Sequence, residues 1–106
     1  MAALSKAEIR EKLKEMPGWS HVGKSMQRKF MFKSFPAAMA FVNRIAEAAE
    51  RAGHHPDINI RYSLVEISLW THSEGGVTEK DFQLARQLDQ IAGTISSGTS
   101  APTALA

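Results

Sequence analysis

The sequence predicts an α+β domain in which three helices pack on one face of a four-stranded antiparallel sheet. Segments with helical or strand periodicity follow the order helix, two strands, helix, two strands, helix. The links within each strand pair are too short for a parallel crossover, so each pair is expected to form an antiparallel hairpin. Helices that lie together on one face of such a sheet bury the apolar surfaces of both.

The first helix is expected over residues 5–15. Ser5 and Glu8 have the spacing of a capping box, in which the side chain of each accepts a backbone N–H of the other. Ile9 lies on the apolar face, and Pro17-Gly18 ends the helix.

A hairpin is expected next, with strands over residues 19–22 and 25–33 and a turn at Gly23-Lys24. In the second strand, the residues expected to face one side are apolar: Met26, Phe30 and Phe32. Arg28 and Met31 break the alternation of apolar and polar residues.

The central helix is expected over residues 36–52. Ser34 is a favourable N-cap, Pro36 is tolerated in the first turn, and Gly53 stands where a helix commonly ends. The apolar residues of this segment occupy more than one stripe. Such a pattern predicts a second buried face and hence a subunit contact, unless the helix is simply rich in small residues.

A second strand pair and a final helix follow. Apolar and polar residues alternate over residues 58–62 and 65–69, and His72 is expected to close the second strand. A turn at Gly75-Gly76 then leads to a helix that Thr78 caps.

Composition is that of a globular domain and argues against several functions. Of the 106 residues, 43 % are hydrophobic and 23 % are charged. The net charge of +2 comes from basic residues scattered along the chain, a pattern that does not favour nucleic-acid binding. The chain has no cysteine, which excludes disulfides and thiolate catalysis.

The last helix is expected to end at Gly93, so residues 1–95 are expected to form one domain and residues 96–106 a disordered tail. Residues 1–16 carry charges every few positions and lack the apolar segment of a secretory signal. No stretch approaches the roughly 20 apolar residues that span a bilayer. A cytoplasmic protein is therefore expected.

Three histidines and two carboxylates fall at the ends of predicted elements: Glu50, His54, His55, His72 and Asp81. Glu50 and His54 are four residues apart, which brings their side chains together on the last turn of a helix. Asp81 approaches the same region if the turn after His72 folds the final helix back. Imidazoles beside carboxylates suit acid–base chemistry near neutral pH.

Each of these residues also has a purely structural explanation. A histidine at a helix C-terminus interacts favourably with the helix dipole, and Asp81 completes a capping box with Thr78. Zinc is a rival explanation for the histidines. However, the adjacent side chains of His54 and His55 project in different directions and chelate one ion poorly.

The spacing of these residues resembles the signature of the pterin-4a-carbinolamine dehydratases, also called dimerization cofactors of a hepatocyte nuclear factor. In that signature a charged residue is followed by His-His-Pro or His-Asn-Pro, an aromatic residue, a His or Trp, and an Asp. The corresponding residues here have the expected spacing and are Glu50, His54-His55-Pro56, Tyr62, His72 and Asp81. The resemblance extends over residues 5–95.

The resemblance implies a four-stranded antiparallel sheet with helices on one face. It implies dimers joined through sheet edges, or tetramers joined through helices. It also implies an enzyme that removes water from 4a-hydroxytetrahydrobiopterin and gives quinonoid dihydropterin, in the recycling of tetrahydrobiopterin. No metal or cofactor is implied, because the pterin is the substrate.

Residue roles follow from the resemblance by position. His54 and His72 would form the acid–base pair, and His55 would bind and orient the pterin. Glu50 and Asp81 would orient the imidazoles, as a carboxylate does for other catalytic histidines. Pro56 is expected at the substrate site, and Trp19 and Tyr62 are candidates for its walls, although both suit a core equally well.

A protein-binding role is the alternative function. In animals the same family scaffold stabilises dimers of a homeodomain transcription factor, and a relative that keeps the site could act mainly as an assembly factor. Loss of His54 or His72 would favour either role. Both histidines are present, which favours catalysis.

Overall fold

Four antiparallel strands form one sheet in the computed structural model, which describes residues 2–98. The elements are α1 Lys6–Leu13, β1 Ser20–Val22, β2 Ser25–Met31, α2 Phe35–Ala52, β3 Asp57–Arg61, β4 Leu64–Leu69, a 3₁₀ turn His72–Glu74, and α3 Glu79–Gly98. This order confirms the α+β fold predicted from the sequence.

The strands lie in the spatial order β1-β2-β4-β3, so β3 is at an edge. Asp57, the first residue of β3, lies opposite Ser68 near the end of β4. The residues before β3 and those after β4 therefore meet at the same end of the sheet. That antiparallel register brings residues 54–56 close to His72.

Buried side chains from the helices and from one face of the sheet form the core. Val65, Ile67 and Leu69 of β4 are fully buried, while the residues between them are half-buried. Phe41 of α2 is also fully buried, and its ring centroid lies 4.8 Å from that of Phe30. Truncating such a phenylalanine to alanine costs about 3–5 kcal/mol.

Local capping follows the sequence prediction closely. The Ser5–Glu8 capping box is present, and the Ser34 side chain accepts the N–H of Ala37 at the start of α2. Gly53 ends α2 with φ of 62°, in the left-handed region that glycine adopts most easily. No helix within residues 2–98 is long and apolar enough to cross a membrane.

Two predicted boundaries were wrong. Helix α3 does not end at Gly93 but continues to Gly98, and Ile91 and Ile95 pack against the core on either side of the glycine. Packing of this kind offsets the cost of about 1 kcal/mol for a glycine within a helix. The expected tail beyond residue 98 lies outside the described residues.

The other difference concerns His72. Strand β4 ends at Leu69, so His72 does not close it but begins the 3₁₀ turn.

Arg28, which breaks the alternation of apolar and polar residues in β2, lies on the side of the helices, and its guanidinium binds Asp89 of α3 at 3.0 Å. The same guanidinium lies 4.5 Å from the ring centroid of Phe30. An arginine on the core side of a strand is thus accommodated by a carboxylate and a ring.

Candidate active site

The turn at Gly53 determines where the two adjacent histidines point. The left-handed backbone of Gly53 ends α2, so His54 and His55 no longer follow helical geometry. Glu50 consequently pairs with His55 and not with His54, with 2.9 Å between Oε2 and Nε2. Both partners are largely exposed, and such an ion pair contributes little to stability.

His54 turns inward and meets Asp81 of α3. Its Nε2 lies 2.5 Å from Oδ1 of Asp81, and the Asp81 side chain is fully buried. The Thr71 hydroxyl donates to Oδ2 at 2.9 Å, and the Thr78 backbone N–H donates to Oδ2 at 2.8 Å. With three donors around it, the desolvated carboxylate of Asp81 is satisfied as a hydrogen-bond acceptor.

This network assigns the tautomer of His54. Because an ionised Asp81 only accepts, Nε2 of His54 must donate. The other ring nitrogen, Nδ1, is then the one that can take up or release a proton. The Thr71 and Thr78 hydroxyls lie 2.8 Å apart, which extends the network behind Asp81.

His72 is held on a short turn that is anchored at its base. The backbone of Thr71 exchanges hydrogen bonds with Gly76, at 2.9 Å from the Thr71 N–H and 3.4 Å from the Gly76 N–H. Gly75 closes the turn with φ of 70°. The His72 imidazole stacks on the indole of Trp70, with ring centroids 3.8 Å apart and planes at 32°.

The three histidines line one crevice of about 350 Å³. The remaining lining residues come from the end of α2, from the segment around the 3₁₀ turn and from α3: Gly53, Trp70, Thr71, Ser73 and Lys80. Lys80 is the basic side chain of the lining, and no carboxylate among the described residues lines it. The crevice thus presents imidazoles and an ammonium to a bound molecule.

The aromatic residues expected as walls lie elsewhere in the single chain. Trp19 is 3 % exposed and belongs to the core, where its indole N–H donates to Asp89 at 2.9 Å. Tyr62 is 72 % exposed on the β3–β4 turn, at the opposite end of the sheet from the crevice. Pro56 is half-buried beside the histidines but does not line the crevice.

Five lining residues were not predicted from the sequence: Gly53, Trp70, Thr71, Ser73 and Lys80. Alternation along the chain puts the side chain of Trp70 on the same side as that of His72, so this signal could have identified Trp70, whereas it puts Thr71 on the opposite side. Lys80 precedes Asp81 in the first turn of α3, and no sequence pattern around it indicates a binding role. Within residues 2–98, no three His, Asp or Glu side chains converge to hold one metal ion.

The chemistry available at the crevice is proton exchange. Imidazole has an unperturbed pKa of about 6.5, so both of its protonation states are accessible near neutral pH. His54 is supported by a buried carboxylate, His55 by an exposed one and His72 by an indole. Such an arrangement can remove a proton from one atom of a bound molecule and deliver one to another.

Comparisons with known proteins give a family match and similar relatives. The family model described as pterin 4 alpha carbinolamine dehydratase matches residues 2–91. A protein of Thermomicrobium roseum, provisionally named pterin-4-alpha-carbinolamine dehydratase, is 53 % identical over 92 residues, which are 87 % of this chain and 99 % of the relative. A similarly named protein of Chloroflexus aurantiacus is 53 % identical over 93 residues, 88 % of this chain and 100 % of the relative.

Two solved structures are also similar. A transcriptional coactivator/pterin dehydratase from Brucella melitensis superimposes with a TM-score of 0.83 and 40 % identity, over 86 % of this chain and 99 % of that one. A pterin dehydratase-like protein identified as a RuBisCO assembly factor in the alpha-carboxysome gives a TM-score of 0.64 and 29 % identity, over 72 % of this chain and 90 % of that one.

Proposed function

Because the chain belongs to the pterin-4-alpha-carbinolamine dehydratase family, we propose that it removes water from 4a-hydroxytetrahydrobiopterin. One observation carries the proposal. Three imidazoles line a single crevice, and one of them is hydrogen-bonded to a fully buried carboxylate. The proposal assigns the enzyme to the hydro-lyases and its reaction to tetrahydrobiopterin recycling.

The reaction needs two proton transfers and no change in overall oxidation state. A base takes the proton from N5 of the pterin, and an acid delivers a proton to the 4a-hydroxyl as its bond to carbon breaks. Water leaves, and a C4a=N5 double bond forms in the quinonoid dihydropterin. General acid–base help of this kind typically supplies about 10²–10⁴-fold in rate.

We assign the two transfers to His54 and His72, both of which line the crevice. His54 has a tautomer set by Asp81, which suits a residue that must return to one protonation state after each turnover. His55, with Glu50 behind it, binds and orients the pterin. Lys80 adds a hydrogen-bond donor for the heterocycle.

The test follows the decay of freshly generated 4a-hydroxytetrahydropterin by ultraviolet absorbance. Wild type should accelerate the decay, and His54→Ala and His72→Ala should each lower kcat by about 10²-fold or more. His21→Ala is the matched control, because His21 lies in β1, away from the crevice lining. Decay at the uncatalysed rate with folded wild type would refute the dehydratase proposal.

A protein-binding role is the second candidate. The names of the two similar solved structures, a transcriptional coactivator/pterin dehydratase and a RuBisCO assembly factor, favour it for this scaffold. Under this alternative, His54→Ala and His72→Ala leave partner binding unchanged. The pterin assay therefore separates the two candidates.

We further propose that the protein acts in the cytoplasm as a homodimer or homotetramer. Strand β3 lies at the edge of the sheet, where unpaired backbone groups can bind a second strand. Sedimentation equilibrium gives the subunit number directly. A monomer at micromolar concentration would contradict this part of the proposal.

A further inference from the structure

The three histidines of the crevice differ in what orients them. His54 and His55 each have a carboxylate partner, Asp81 and Glu50 respectively. For His72, the contacts within residues 2–98 include no hydrogen bond or ion pair to the imidazole, and the ring contact is the stack on Trp70. His72 is exposed on a three-residue 3₁₀ turn. A side chain in that setting samples several rotamers unless a neighbour restricts it.

The backbone between the two rings brings them together. Thr71 has extended φ and ψ of −102° and 106°, so the side chains on either side of it, Trp70 and His72, point the same way. Thr71 itself points inward to the buried Asp81. One extended residue thus anchors the segment to the core and aligns the two rings.

The indole has a further contact, with the first hairpin. The Lys24 ammonium, from the β1–β2 turn, lies 5.7 Å from the ring centroid of Trp70. Trp70 is half-buried, whereas His72 is exposed. The more buried ring therefore supports the more exposed one, and the Lys24–Trp70 contact links the segment before the 3₁₀ turn to the first hairpin.

The stack suits a residue that changes its protonation state. A neutral imidazole packs on an indole through dispersion and quadrupole interactions. A protonated imidazole interacts with the same ring as a cation. The contact therefore remains favourable on both sides of a proton transfer, whereas a hydrogen bond from a fixed donor would favour one state only.

We propose that Trp70 is the positioning residue for His72, and that it fixes the imidazole plane over the crevice as Asp81 does for His54. The inference rests on the proposed function, since it supposes that His72 takes part in proton transfer. Trp70 acts through His72 and does not exchange protons. Misplacing a catalytic group by about 1 Å can cost about 10²-fold in rate.

The competing role for Trp70 is direct contact with the substrate, because the indole also lines the crevice. The two roles predict different kinetics. A positioning residue lowers kcat when removed, with KM nearly unchanged. A wall that binds substrate and transition state equally raises KM and leaves kcat unchanged.

The experiment compares Trp70→Leu and Trp70→Phe with wild type, in the full chain. The His72 Cε1 proton is followed by NMR and is identified by its loss in His72→Ala. Its resonance should move downfield in Trp70→Leu, because the ring current of the indole is lost, and should stay largely shifted in Trp70→Phe. Phe35→Leu, which removes an exposed aromatic ring at the start of α2, is the matched control and should leave the resonance unchanged.

Kinetics on the same proteins complete the test. Trp70→Leu should lower kcat by about 10-fold or more with little change in KM, and Trp70→Phe should recover most of kcat. An unshifted His72 resonance in Trp70→Leu, or a raised KM with unchanged kcat, would overturn the inference. If wild type has no dehydratase activity, the proposed function fails. The resonance comparison then decides alone whether Trp70 orients the ring.

Discussion

His54 and Asp81 are 27 residues apart in the chain, yet Nε2 of the imidazole lies 2.5 Å from Oδ1 of the carboxylate. The imidazole is 11 % exposed and the carboxylate is fully buried. The pair joins the segment after α2 to the first turn of α3. Asp81 is therefore the buried carboxylate of the site, and Glu50 is the exposed one.

Asp81→Asn should strongly lower dehydratase activity in a protein that still folds. An asparagine keeps the shape but has an amide N–H₂ group, which cannot accept from all three donors around it. We expect kcat to fall by about 10²-fold, because His54 loses the acceptor that sets its tautomer. Wild-type kcat in Asp81→Asn would contradict this role.

Thr71→Val tests the support behind Asp81. Valine has the shape of threonine but removes the hydroxyl that donates to Oδ2 at 2.9 Å. Losing this donor to a buried carboxylate should lower the free energy of unfolding by about 1–3 kcal/mol. Urea unfolding measures the loss, and Thr71→Ser, which keeps the hydroxyl, is the control. Equal losses in both variants would point to packing and not to the hydrogen bond.

Glu50→Gln should have a much smaller effect than Asp81→Asn. The Glu50–His55 pair is exposed, with side chains 79 % and 64 % accessible, so water and salt screen it. We expect a change in unfolding free energy below about 1 kcal/mol and a modest rise in KM. Raising the ionic strength should remove the difference from wild type. A loss of kcat as large as that in Asp81→Asn would show that the difference in exposure between Glu50 and Asp81 does not determine their importance for catalysis.

Asp89 should make the free energy of unfolding depend on pH in the acid range. This effect is unrelated to the crevice. Burial raises the pKa of Asp89 above its usual 3.8, against the opposing effects of the Trp19 N–H and the Arg28 guanidinium. The folded chain then binds this proton more tightly than the unfolded chain does. The contribution is full below the unfolded pKa and is lost as pH rises through the folded pKa, with a slope of at most about 1.4 kcal/mol per pH unit.

Urea unfolding of wild type and Asp89→Asn, from about pH 3 to pH 7, measures this slope. The free energy of unfolding of wild type minus that of Asp89→Asn should fall as pH rises, because only wild type loses the contribution of the bound proton. A wild-type-minus-variant difference that instead rises with pH would mean that attraction to Arg28, which lies 3.0 Å away, outweighs the cost of burying the charge.

The sequence by itself determined those features that depend on neighbours along the chain. The capping box of Ser5 and Glu8, the Ser34 cap and the stop at Gly53 all form as predicted. The alternating burial in β4 was also predicted. Each depends on residues within about one turn or one strand pair, where backbone geometry determines which side chains can contact each other. Spacing also identified the histidines and carboxylates, whose roles remain proposals.

Only the tertiary structure decided which of those side chains are partners. Helical spacing predicted a contact of Glu50 with His54, but the left-handed turn at Gly53 gives His55 to Glu50 and His54 to Asp81. The stack of His72 on Trp70 and the binding of Arg28 to Asp89 depend on turn geometry and on the packing of α3 against the sheet. These partners are determined by burial and by contacts between segments distant in the chain. A polar group is buried without a large cost in free energy only where another group forms a hydrogen bond or ion pair with it.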